Sequence, residues 1–370
     1  MAGEEQAVPE GPDPVTPPAR VRPCPECGEE IPAVRTICPI CRSNLESKRE
    51  IEVEAQRWGE GLFRWAMVLG GLTLVLGIVG FFVKAQSHAG AFGLLIHGAC
   101  IVATAFWMPV RRTAALLVLS SVVGSGTIFW STLLIVSSGE TGPVMAGSAL
   151  TISFVNSALF LTGLLQSCRQ EGSTKAVFSI LGVWFALATM LHVVGAAIGD
   201  APEYATKVSG VGVVLASLVG WALIRDAELG LALPKPWFHA LWPAACAILL
   251  AWCAKHYFFF LLHAFGPSSL DRSMMETSAL DRVLFVILLG PVAEEVLFRG
   301  AFQGTLRRLW GPETAVLATA LIFAFAHQNP IAFPLLFVGG LTLGIVRELS
   351  GSLFPAVLFH VLYNAGVTYL

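Results

Sequence analysis

From about residue 65 onward the chain repeats one pattern, an apolar run of about 16–25 residues followed by a short polar break. A helix of roughly that length spans the ~30 Å hydrocarbon core of a bilayer. In that medium a spanning segment must satisfy its own backbone N–H and C=O groups, which restricts it to helices or closed barrels. About eleven such runs are expected, at roughly 65–83, 91–109, 113–137, 143–166, 176–198, 206–224, 238–263, 281–303, 313–328, 331–346 and 352–370. The fold class expected is therefore an all-α polytopic membrane protein. Composition agrees: 13% of the 370 residues are charged, about half the ~25% of a soluble chain. A net charge of −2 gives no basic surface for nucleic acid. The partners expected are the lipid bilayer and a membrane-associated protein or peptide; nothing in the pattern sets an oligomeric state.

The loops assign an orientation. One side carries Arg111 and Arg112, Arg169 and Lys175, Arg225 and Lys235, Arg307 and Arg308, and Arg347. The other side has no base in 137–143, one in 199–207 and none in 327–330. Cytoplasmic loops hold the excess of Lys and Arg, which places the N-terminus in the cytoplasm of a bacterial inner membrane and, with eleven spans, the C-terminus outside it.

Before the first run the chain changes character. Residues 1–22 are rich in Pro, Glu and Gly, a composition that cannot bury a core and reads as a disordered leader. Residues 23–46 contain Cys24, Cys27, Cys38 and Cys41, spaced C-x2-C-x10-C-x2-C. Two such knuckles can close a tetrahedral shell around a structural Zn²⁺, with Gly28 permitting the turn after the first pair; two redox C-x2-C pairs or a disulfide pair are the competing reading. The stretch resembles the short zinc-ribbon modules of bacterial membrane proteins, and its reduced thiols fit a cytosolic position. Residues 47–64 mix charges of both signs and read as a linker helix. Cys100, Cys168, Cys246 and Cys253 stand singly in apolar segments and read as small core residues. His97, His192, His256 and His263 lack acidic or thiol partners at ligand spacing and read the same way.

The C-terminal third is different. In "LLGPVAEEVLFRGAF" (288–302), Glu294, Glu295 and Arg299 interrupt an apolar run, although a charge at the bilayer centre costs on the order of 3 kcal/mol or more. Residues four apart share a helix face, so Glu295 can pair with Arg299 in the favoured order. Glu294 points about 100° away and is the carboxylate left for general-base work. All three forming one structural ion network is the competing reading. In "HVLYN", His360 and Asn364 again stand at i and i+4, where two donors could converge on an oxyanion. His327 closes the run "FAFAHQNP". Either histidine could ligate a metal, but no H-E-x-x-H is present. Counting along the runs at about 1.5 Å per residue brings Glu294 and His360 to similar depths and puts His327 nearer the outer surface. Either 303–310 lies along the interface and shifts its helix, or the boundaries need moving.

These three stretches resemble the CPBP family of intramembrane proteases, also called Abi or CAAX-protease-and-bacteriocin-processing proteins. The matching pattern is Glu294-Glu295-x-x-x-Arg299, Phe323-x-x-x-His327 and His360-x-x-x-Asn364, within a core of about residues 238–370. The resemblance implies peptide-bond hydrolysis within the membrane. It assigns water activation to Glu294 and His327 and oxyanion stabilisation to His360 and Asn364, with Glu295 and Arg299 in support. It leaves a catalytic metal open, because Glu, His, His and Asn suit either a metal-bound water or one activated by Glu294. Having only two good nitrogen ligands favours the second. Residues 65–224, six spans, have no counterpart in that core, and 225–237 reads as a cytoplasmic linker. The competing functions are a scaffold or immunity protein on the same fold and a transporter. The transporter would spread charged groups through both halves.

Overall fold

The structure is a computed structural model that describes residues 21–24, 28–32, 40, 45–82, 88–136, 142–198, 202–223, 230, 241–265, 278–327 and 332–369. The chain divides into two compact units, Met1–Arg57 and Trp58–Leu370.

The first unit holds a two-stranded antiparallel sheet, β1 (Val21–Pro23) against β2 (Glu30–Pro32), with Arg22 opposite Ile31. The strand begins at Val21, inside the stretch expected as leader. At its end Cys24 is buried. Its N–H donates to the Glu29 carbonyl (2.8 Å), and the Gly28 N–H donates to the Cys24 carbonyl (2.9 Å). Gly28 takes φ +76°, a conformation that L side chains resist. Cys27, Cys38 and Cys41 lie outside the described residues, so of the four cysteines expected to form a site only Cys24 is described.

The rest is helical, and the helices match the eleven apolar runs one for one: α1 (Leu45–Phe82), α2 (His88–Trp107), α3 (Arg112–Val136), α4 (Gly142–Glu171), α5 (Thr174–Ile198), α6 (Pro202–Leu223), α7 (Leu241–Phe265), α8 (279–310), α9 (Pro312–Ala326), α10 (Phe333–Ser350) and α11 (Phe354–Tyr369). Two boundaries differ from expectation. The linker helix (47–64) and the first run (65–83) are one continuous helix, because the charged segment before residue 58 contains no Gly or Pro to stop it. The eighth run does not end near 303 but continues to Trp310.

Three helices are long and apolar enough to cross a membrane over the described residues, at Gly59–Val79, Leu150–Glu171 and Phe333–Ser350. Shorter apolar segments include Thr174–Met190 and Pro312–Ala326. Large apolar side chains face outward along whole helices, among them Val68, Leu72 and Val75 on α1 and Leu249, Trp252 and Phe260 on α7. Contiguous exposed apolar surface of this kind marks contact with a membrane or a partner.

One apolar core runs through both halves of the helical unit. It includes Leu116, Phe160 and Trp184 from α3, α4 and α5, and Phe298, Phe302 and Phe323 from α8 and α9. The stretches 65–224 and 238–370 are therefore packed together. The four scattered cysteines are free thiols. His97 and His256 stand edge-on to the rings of Phe325 and Trp252.

Candidate active site

The site is built on α8, and α8 is not a uniform α-helix. Two stretches, Arg282–Leu289 and Val296–Gln303, are wound as π-helix and flank the α-helical Gly290–Glu295. The sequence explains the first. Pro291 has no N–H to give and its ring displaces the carbonyl four residues earlier, so the helix widens just before it. Gly290 donates instead to the Phe285 carbonyl, five residues back. A Cβ on Gly290 would stand 2.5 Å from that oxygen, so only glycine fits. Such widened turns concentrate at functional sites. Here they bracket Glu294 and Glu295.

The turn after α8 corrects the depth count for His327. Gly311, at φ +85°, ends the helix, and Pro312 starts the next at its first position. The two helices thus run antiparallel from a one-residue hinge. Glu294 lies 310 − 294 = 16 residues before the end of α8, and His327 lies 327 − 312 = 15 residues after the start of α9. They meet at the same level because 303–310 continues the helix rather than leaving it. The ring of Phe298 stacks edge-on against Phe323 (5.2 Å between centroids), one turn below the same level.

Glu295 and Arg299 are fully buried and paired, Arg299 Nη1 donating to Glu295 Oε1 at 2.9 Å. The pair is not isolated. Arg299 Nη2 donates to the Gly340 carbonyl of α10 (3.2 Å), and its guanidinium lies 4.4 Å from the centre of the Phe323 ring, a cation–π contact. His360 Nδ1 lies 2.9 Å from the same Glu295 Oε1. A carboxylate that already accepts from Arg299 accepts from Nδ1–H as well, which leaves the Nε2 lone pair of neutral His360 on the other side of the ring. His327 is set the same way. Its Nδ1 lies 2.8 Å from the Phe323 carbonyl, an acceptor only, so its Nε2 also carries the lone pair.

Both Nε2 atoms face one oxygen. Glu294 Oε2 is 3.8 Å from His327 Nε2 and 3.8 Å from His360 Nε2. These distances are too long for direct hydrogen bonds, and Glu294 Oε2 is buried with no hydrogen bond to any described residue. Three acceptors thus surround one point, a spacing that suits a held water molecule. His327 is the most open of the three, with its side chain 31% exposed. Asn364 is placed differently. Its Nδ2 donates to the Val286 carbonyl (2.8 Å) in the first π-wound stretch of α8.

A ladder that sequence reasoning did not register holds α8 against α10. Arg299 Nη2 meets the Gly340 carbonyl. One turn on, Gln303 Nε2 donates to the Gly344 carbonyl (3.0 Å) and to Glu348 Oε1 (2.9 Å). A further turn on, Arg307 Nε pairs with Glu348 Oε2 at 2.9 Å. The Arg299–Gly340, Gln303–Gly344 and Arg307–Glu348 contacts each join residue n to n + 41, so the two helices run in parallel. The glycines are needed because a Cβ at 344 would lie 3.1 Å from Gln303 Oε1, and one at 340 would lie 3.2 Å from the Ala320 backbone. The signal was present in the matching i, i+4 spacing of Arg299, Gln303 and Arg307 and of Gly340, Gly344 and Glu348.

With this geometry in place, the likeness to known proteins is specific. Residues 276–366 match the family described as type II CAAX prenyl endopeptidase, Rce1-like. The Rce1-like stretch contains Glu294, Glu295, Arg299, His327, His360 and Asn364, and it supports the CPBP resemblance over the C-terminal region. The chain is 36% identical over 84 residues to an uncharacterized 24.3 kDa protein of Escherichia coli, a match covering 21% of this chain and 39% of that protein. It is 29% identical over 107 residues to the uncharacterized protein YpbD of Bacillus subtilis (strain 168), covering 28% and 52% respectively. The chain therefore spans about two fifths to one half of the length of these relatives. No solved structure matches it at a significant level. In general terms the Rce1-like match supports a CAAX-type intramembrane protease.

Proposed function

We propose that the chain is an intramembrane endopeptidase that hydrolyses a peptide bond of a membrane-associated protein or peptide. The observation that carries this reading is the convergence of Glu294 Oε2, His327 Nε2 and His360 Nε2 on one point, with a spacing of 3.8 Å to the carboxylate on either side. A water molecule there donates to Glu294 and is oriented by His327. Glu294 takes its proton as general base, the oxygen bonds to the peptide carbonyl carbon, and the C–N bond breaks as Glu294 returns the proton to the leaving nitrogen. The oxyanion is stabilised by His360 and Asn364. His360 donates from Nε2 in its imidazolium form, with its Nδ1–H held by Glu295. Asn364 has a second N–H beyond the one given to Val286. Glu295 and Arg299 hold His360 and the α8–α9–α10 contact in place.

Among the described residues no group of three or more His, Cys, Asp or Glu is gathered closely enough to hold a metal ion. Glu294, His327 and His360 carry donor atoms of the kinds that ligate a divalent metal, which would supply a Lewis acid for the carbonyl if the three were drawn together around one. At the N-terminus, Cys24, Cys27, Cys38 and Cys41 hold a structural Zn²⁺, a reading supported by the buried Cys24 and the tight turn through Gly28. Purified full-length protein is expected to carry one zinc per chain and to lose it with Cys24→Ser. The helices span a bacterial inner membrane eleven times with the N-terminus cytoplasmic. Cysteine labelling should therefore reach positions 111, 172, 230 and 308 from the cytoplasm and 140 and 203 from outside.

The deciding experiment compares the termini of the membrane proteome in cells making the parent protein or Glu294→Gln. New termini present with the parent and absent with the variant are expected. Identical sets from two proteins that insert equally well would overturn the proposal.

A further inference from the structure

Helix α6 belongs to the N-terminal half, outside the Rce1-like stretch, yet it lies directly along α8. Three contacts define the packing. A Cβ on Gly210 would meet Phe285, and one on Gly220 would meet Leu297 at 2.7 Å. Between them, Ser217 Oγ lies 2.6 Å from the Ala293 carbonyl. The partner numbers rise together, so α6 and α8 run in parallel with small residues on the facing side of α6.

The Ser217 contact falls at a particular place in α8. Ala293 immediately precedes Glu294 and stands next to the change from α-helical to π-helical winding at Val296. At this change the Val296 N–H is shared between its regular α-helical acceptor, the Val292 carbonyl, and the Ala293 carbonyl. Ser217 is 4% exposed, and its hydroxyl also lies 2.7 Å from its own-helix Val213 carbonyl. That local acceptor would satisfy it without α8. The hydroxyl nevertheless stands against the carbonyl of the peptide that leads into Glu294, one of the two planes that set the direction of its Cα–Cβ bond. The far end of α8 is held by the same half of the molecule. Trp310 Nε1 donates to Glu171 Oε2 (3.1 Å), and the other oxygen of Glu171 is bonded by Thr113, which also meets Ser167.

We infer that the N-terminal six-helix half is part of the catalytic apparatus, and that Ser217 is a positioning residue that fixes the α-to-π junction of α8 and thereby the direction of Glu294. This rests on the endopeptidase reading for its effect on rate, but not for its effect on α8.

The test uses full-length protein in proteoliposomes, as parent, Ser217→Ala and Ser217→Thr, with two readouts. Hydrogen exchange is followed by mass spectrometry in fragments covering 290–303. Cleavage is followed with an internally quenched farnesylated peptide ending in a CAAX box. Ser217→Ala should speed exchange in 290–303 while leaving fragments of α3 and α5 unchanged. It should also lower kcat about tenfold, short of the ~100-fold that a 1 Å misplacement can cost, with KM within about twofold. Ser217→Thr, which keeps the hydroxyl, should restore both readouts. Unchanged exchange in 290–303 for Ser217→Ala would overturn the inference. So would a loss shared by the Thr variant, or one spread evenly over all helices, since either would show that only packing is involved. If the parent does not cleave the peptide, exchange alone decides the role of Ser217, and the endopeptidase reading is judged separately by the proteome comparison.

Discussion

The two halves of the helical unit bury polar groups in different ways. In the N-terminal half the buried polar side chains are mostly neutral hydroxyls, and several bond back along their own helix: Thr104 to the Cys100 carbonyl, Ser121 to the Leu117 carbonyl and Ser157 to the Ser153 carbonyl. In the C-terminal half the buried groups include Glu295, Arg299, Gln303 and His360, whose partners lie on other helices or a turn away. A hydroxyl that bonds four residues back needs nothing from its neighbours and leaves helix packing free to adjust. A buried ion is tolerable only where another charge and several donors or acceptors stand at fixed positions. The first half is therefore apolar packing with dispersed, mostly neutral polar groups, and the second is a constellation whose members require one another.

The largest expected effect follows from breaking that mutual requirement. Glu295→Gln removes the charge that both Arg299 and His360 use, and leaving one member of a buried pair uncompensated costs about 3–5 kcal/mol. Expression and melting temperature in detergent should fall along with cleavage. The double change Glu295→Gln with Arg299→Met should recover most of the stability and little of the activity. A Glu295→Gln protein as stable as the parent would show the constellation to be dispensable. An intermediate effect is expected for Gly340→Ala, where the new methyl must push α10 from α9 against the Ala320 backbone. Overpacking of this kind costs about 1–3 kcal/mol, and it should weaken the Arg299–Gly340 contact enough to lower the rate. The smallest effect is expected in the other half. Ser121→Ala removes a buried hydroxyl with only a local partner and should stay within about 0.5 kcal/mol of the parent, with the cleavage rate unchanged. A loss of 2 kcal/mol or more there, measured by thermal unfolding, would erase the contrast.

Much of this arrangement was legible in the sequence, for identifiable reasons. Hydrophobic length reports helices well because the bilayer imposes it, and all eleven apolar runs have a helix in the structure. The i, i+4 spacing of Glu295 and Arg299 translates directly into their ion pair. The level of His327 was not legible from hydropathy, because Arg307 and Arg308 look like the end of a span, whereas the helix stops only where Gly311 takes a positive φ. The placement of Asn364 was hidden for a related reason. The i, i+4 rule put it with His360, but its partner is the carbonyl of Val286, a backbone group in a widened turn. Ser217 was invisible on the same account, since a single serine in an apolar span bonds its own helix by default and nothing in a side-chain pattern points to the carbonyl of Ala293. The ladder between α8 and α10 could have been found, had the two sets of four-residue spacings been laid side by side.

The one-residue hinge at Gly311 makes the α8–α9 hairpin a measuring device, and this determines which changes of length the chain can bear. Adding one residue to either arm between Glu295 and Ala326 advances everything beyond it by about 1.5 Å and swings it by about 100°. Glu294 or His327 would then face away from the other. Many substitutions along these arms leave the count untouched, whereas a single insertion or deletion destroys it. In a natural history of this hairpin, residues are free to be exchanged far more often than they are free to be gained or lost.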